Sequence, residues 1–114
     1  MKFSVGNLGG TLYKGSVPIC EFKFERGQLR YVEVLTSDKA LIPVDCLHKG
    51  FTGDSLINFF FFRTTPATRR GIDAYLAMTP VQFYYPERII RYSEGKCIDD
   101  DYWLKCDDDK ICWD

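Results

Sequence analysis

The heptapeptide ICEFKFE, residues 19–25, decides the fold class. Cys20, Phe22 and Phe24 alternate with Glu21, Lys23 and Glu25, the period of two that gives a β-strand one apolar and one polar face. Arg26-Gly27 follows, and glycine accepts the positive φ that a tight hairpin needs. Residues 29–35 then return as a β-branched and aromatic strand. Upstream, residues 2–5 and 11–14 flank Gly9-Gly10 and are expected to form a first hairpin. Downstream, residues 40–44 are expected as a short edge strand, because Pro43 has no amide to give to a ladder.

Beyond residue 50 the pattern turns helical. Thr52, Asp54 and Ser55 offer oxygens to the unpaired amides of a helix start, and residues 56–62 continue without a break. The next segment, NFFFFRTTPATRR (residues 58–70), ends that helix. Thr65 before Pro66 places a cap ahead of a proline at the first helical position, so a second helix is predicted over residues 66–78. Ile72, Tyr75 and Leu76 share one face of it, and Gly71 weakens it. Pro86 opens a third, short helix that Gly95 stops. A closing strand at residues 102–106 lies between two aspartate triplets. The expectation is a single α+β domain over 1–114: strands mainly in 1–45, helices mainly in 53–93, and a closing strand with an acidic tail in 97–114. A small antiparallel sheet of N-terminal hairpins plus the C-terminal strand packs against two or three short helices.

The four phenylalanines, residues 59–62, span about 300° of a helix circumference, so they cannot all face one core. At least one points to a second surface, either a neighbouring helix or a partner protein.

At 114 residues the chain is long enough to bury roughly 65% of its unfolded surface without staples. Its five cysteines (Cys20, Cys46, Cys97, Cys106 and Cys112) include no CxxC pair, and the N-terminal stretch lacks the apolar run of a signal peptide. The expected setting is therefore cytoplasmic, with reduced thiols. No apolar run reaches the roughly 18 residues that a membrane span requires. Charge is uneven: residues 1–93 carry a net +4 and residues 94–114 a net −5. Nucleic-acid binding through Arg63, Arg69, Arg70, Arg88 and Arg91 is disfavoured, since that small excess gives a weak counterion-release term.

No phosphate-cradling loop, nucleophile elbow or zinc-protease motif is present. Cys46 and His48 are the candidate nucleophile and base, but local spacing alone does not make them converge. The acidic run DDDYWLKCDDDK lacks the central glycine and twelfth-position glutamate of a calcium loop. The chain is read as noncatalytic, with no metal and no cofactor.

Within LIPV, DSLINFFFFRTTPATRRGIDAYL and FYYPERIIRYSEGKCIDDDYWL, two motifs stand out. One is Arg63, Pro66 and Arg69 spaced as R-x-x-P-x-x-R; the other is Asp101-Tyr102-Trp103. With these motifs, residues 40–106 resemble small proteins of Gram-positive bacteria and their mobile elements that accompany HipA-like kinases. More broadly, they resemble the amino-terminal subdomain of HipA-type serine/threonine kinase toxins. The resemblance implies a detached, noncatalytic subdomain that binds and restrains such a kinase, an antitoxin-like role.

The expected partner-binding residues are Phe59, Phe60, Arg63, Arg69 and Arg70, with Asp99, Asp100, Asp101, Asp107, Asp108 and Asp109 on the acidic side. The alternative is a mobile-element inhibitor of a basic host-defence nuclease, of anti-CRISPR type, in which these carboxylates imitate nucleic-acid phosphate.

Overall fold

The computed structural model describes residues 4–64, 70–79, 81–97 and 100–106. It is an α+β fold: a four-stranded antiparallel sheet and four short helices. The strands are β1 (Gly9–Lys14), β2 (Val17–Glu25), β3 (Gln28–Val34) and β4 (Tyr102–Cys106), in the spatial order β3-β2-β1-β4. The helices are α1 (Val44–Leu47), α2 (Gly53–Arg63), α3 (Ile72–Ala77) and α4 (Pro86–Ser93).

The alternation in residues 19–25 translates directly into packing. Cys20, Phe22 and Phe24 are buried, whereas Glu21, Lys23 and Glu25 line the solvent face. Leu12 stands opposite both Cys20 and Leu104, which carries the apolar layer across three strands. On that layer lie Leu56, Phe59 and Phe60 of α2 and Ile90 of α4. A second, smaller cluster holds Ile72, Leu76, Val81 and Ile89. Adjacent residues of α4 thus serve two cores, Ile90 facing the sheet and Ile89 facing α3.

Three expectations change. Gly9 and Gly10 do not turn a first hairpin; they lie inside β1, which pairs with β2 and β4. Ser4 and Val5 are outside any strand, and residues 2 and 3 lie outside the described residues. The need for glycine at position 10 is a close approach. Its φ is +154°, and a Cβ there would stand 2.2 Å from the Lys105 carbonyl oxygen of β4.

Residues 40–44 form no strand. Asp38 accepts a hydrogen bond from the Ala40 amide and caps a 3-10 turn at Lys39–Leu41, and Pro43 stands at the N-cap of α1. The missing amide of Pro43 argues for a helix start as well as for a strand edge, and here the helix start prevails.

The helix expected over residues 66–78 is shorter. Gly71, at φ +79°, sits in the left-handed region just before α3, so no continuous α-helix runs through it. Tyr75, expected to be buried with Ile72 and Leu76, is exposed. Pro66 and Arg69 lie outside the described residues.

The other elements follow the reading. Thr52 caps α2 by accepting from the Ser55 amide. Pro86 opens α4, and Glu94 at φ +56° closes it just ahead of Gly95.

Candidate partner interface

Helical phase divides the phenylalanine run. Leu56, Phe59 and Phe60 occupy positions i, i+3 and i+4, one stripe of α2, and all three are buried. Phe61 and Phe62 fall on the opposite side and are 47% and 77% exposed, packed edge to face against each other at 5.3 Å. This corrects the expectation that Phe59 and Phe60 meet a partner. They build the core, and the outward rings are the last two of the run. The signal was available in the sequence: counting from Leu56 points residues 59 and 60 inward.

Val44 of α1, beside Phe62, is exposed, as is Leu47 of the same helix. Val44, Phe59, Phe62 and Tyr102 line a groove of about 270 Å³ with Asp45 and the Arg63–Asp100 pair as its polar groups. A larger groove of about 500 Å³ shares Asp100 and Tyr102 with it and is lined further by Gly15, Lys96, Asp101 and Trp103.

Arg63 was expected to reach a partner, yet it is spent inside the fold. Its side chain is only 7% exposed. Nε donates to the Gly95 carbonyl at 2.8 Å, one terminal nitrogen to Asp100 Oδ2 at 2.5 Å and the other to the Tyr102 carbonyl at 3.1 Å. The guanidinium also lies over the Phe59 ring, 4.7 Å from its centroid. One side chain therefore ties the end of α2 to the end of α4 and the start of β4.

The Asp-aromatic-Trp element is also used internally. Asp101 pairs with Lys14 at 2.6 Å. The Tyr102 hydroxyl donates to the Leu41 carbonyl at 2.7 Å. Trp103 stacks on Tyr13 with centroids 4.8 Å apart and donates from Nε1 to the Gly15 carbonyl. The first arginine of one motif thus meets the aromatic of the other, and both serve as structural staples.

These contacts set the electrostatics. The Arg63 hydrogen bond holds the Asp100 carboxyl below its ordinary pKa, and Lys14 does the same for Asp101. Two of the expected acidic partner residues are therefore already neutralised by neighbours. Asp99, Asp107, Asp108, Asp109 and Arg69 lie outside the described residues, while Arg70 is exposed.

Cys46 and His48 do not form an activated pair. Cys46 is 2% exposed and burial pushes its thiol up to about 12, while His48 faces solvent. Cys20 is buried alongside, its thiol likewise pushed up to about 12. Both remain protonated near neutrality and poor nucleophiles. Alkylation at pH 7.5 followed by peptide mapping is expected to leave both unmodified in the folded protein and to label them after denaturation. Rapid labelling of native Cys46 would contradict its burial.

The unfolded thiols ionise near the ordinary value of 9.0, well below the folded ones. The buried pair therefore contributes a stability loss as pH rises above about 9.

Among the described residues, no group of three or more His, Cys, Asp or Glu side chains converges to hold a metal ion. None of their helices is long and apolar enough to cross a membrane. No protein-family model, curated protein or solved structure matches the chain.

Proposed function

We propose that this protein is a noncatalytic, cytoplasmic interaction module that docks on a protein partner through the Phe61–Phe62 edge of α2. The carrying observation is that two adjacent phenylalanine rings face solvent beside a groove walled by Val44 and Phe62, an apolar exposure that a lone domain gains nothing from. The motif resemblance makes a HipA-like kinase the partner of choice, with restraint of that kinase as the outcome. The Arg63–Asp100 bridge, which lines the groove with a buried arginine, would position the rings without contributing a free charge.

Phe62→Asp tests this. The ring is exposed, so the fold is expected to persist by circular dichroism. Co-purification with a genetically neighbouring HipA-like kinase, and inhibition of its autophosphorylation, should both be lost. Unchanged binding and inhibition in a folded Phe62→Asp protein would discard the docking edge, and a kinase ignored by the wild type would discard the partner. The nuclease-inhibitor reading draws less support, because Asp100 and Asp101 already neutralise Arg63 and Lys14.

A further inference from the structure

β3 is an edge of the sheet, and its bonding phase can be read from its end. The Leu35 amide donates to the Ile19 carbonyl at 2.8 Å. Glu33 and Tyr31, opposite Glu21 and Lys23, fall in the same phase and turn their backbone groups toward β2. The backbone groups of Val32 and Val34 therefore point the other way. No other backbone segment among the described residues pairs with that side.

Single edge strands are usually blunted by shortness, proline, lysine or a bulge that twists the edge away. β3 has seven residues, QLRYVEV, with neither proline nor lysine. Its one irregularity is an extra residue at Arg30 of β3, between the Tyr31–Lys23 and Leu29–Phe24 pairs; it turns Arg30 to the same face as Tyr31, lies toward the hairpin turn and leaves residues 31–34 regular. Val34 is half exposed, and Val17 and Leu35 at the same end of the sheet are exposed too.

The charges identify the occupant. Arg30 lies 3.7 Å from Glu25, which places it on the solvent face together with Tyr31 and Glu33. Let β3 meet a second β3 antiparallel, about a two-fold axis through Val32. Val32 then exchanges amide-to-carbonyl bonds with its own copy, and Val34 packs beside it. Tyr31 stands opposite Glu33 of the other strand, and Arg30 lies next to that same Glu33. The two-fold repeats both contacts, so each Arg30 gains a Glu33 and no like charges face each other.

The geometry points to a homodimer formed by antiparallel β3–β3 pairing, with the two sheets continuous across the two-fold axis. A strand contact is small beside the roughly 1,600 Å² of a standard interface, so a dissociation constant on the order of 10 μM is expected. This surface is separate from the Phe61–Phe62 edge, and Phe62→Asp should leave dimerisation unchanged.

Sedimentation equilibrium from about 1 μM to about 1 mM tests the pairing. The wild type should pass from monomer to dimer. E33R sets arginine against Arg30 twice and should weaken the dimer by about tenfold or more. The charge-exchanged R30E/E33R should restore it. V34P removes an outward amide that β2 does not use, so it should keep the fold by circular dichroism and weaken the dimer as well. A chain that is monomeric throughout the range overturns the inference. So does a dimer indifferent to E33R and V34P, or one that R30E/E33R fails to restore.

Discussion

Phe60→Ala is expected to lower the unfolding free energy by about 3–5 kcal/mol. Phe60 has no exposed surface and lies between the sheet and α2, 5.7 Å from the Phe22 ring and 5.2 Å from Phe59. It also abuts Gly95, whose Cβ, were one added, would come 3.5 Å from the ring. Alanine leaves a void bounded by β2, β4 and the end of α4, all parts of rigid secondary structure, so the site collapses little and the cavity penalty stays high. For a domain whose whole stability is about 5–15 kcal/mol, that is about a fifth or more. Phe60→Asp would leave an unpaired carboxylate in the same place and is expected to unfold the protein.

Phe62→Ala is the comparison. With its ring 77% exposed, the change should stay within about 0.5 kcal/mol. Urea unfolding of the two variants, with m-values unchanged, measures both. Equal losses at the two positions would refute the division of the phenylalanine run into an inner and an outer pair.

Arg63→Ala is expected to cost about 3 kcal/mol, because it removes three hydrogen bonds and leaves Asp100 without its main partner. Arg63→Lys should recover little, since one ammonium cannot reach the Gly95 carbonyl, Asp100 and the Tyr102 carbonyl from a single position.

The same bridge gives a pH signature. The folded pKa of Asp100 is depressed below its ordinary 3.8. Its contribution is therefore complete above that value and is lost as pH falls through the lower folded value. The stability gap between wild type and Arg63→Ala should be widest near neutrality and narrow in acid. A gap that is constant down to about pH 2 would mean that the arginine acts through packing alone. The Lys14–Asp101 pair has the same sign, but its aspartate is largely exposed, so added salt should screen it.

Much of the fold was legible because its signals are local. Alternation in residues 19–25, the turn at Arg26-Gly27, the Thr52 cap, Pro86 at the start of α4 and the strand at Tyr102–Cys106 each rest on a few neighbouring residues whose backbone preferences agree. Where a local signal has two meanings, the chain alone does not choose between them. Pro43 suits a strand edge or a helix start, and Gly9-Gly10 suits a turn or a close strand approach. The glycine was decided by the Lys105 backbone, distant in the chain.

The candidate interface was less legible for the same reason. Arg63 and Asp100 look like free charges when only the chain is read, but they are 37 residues apart and 2.5 Å from each other. A charge is available to a partner only if no distant residue has claimed it, and spacing carries no record of such claims.

Sequence by itself determined that this chain makes an antiparallel sheet with a helical layer, because the periods of two and of 3.6 are properties of the backbone that side-chain order must match. It also determined that four consecutive phenylalanines could not all be buried by one face. Tertiary structure alone decided that the two motifs close on each other and that β3 is left at the edge. Those outcomes depend on which surfaces the packed elements cover, a long-range property set by the assembled core.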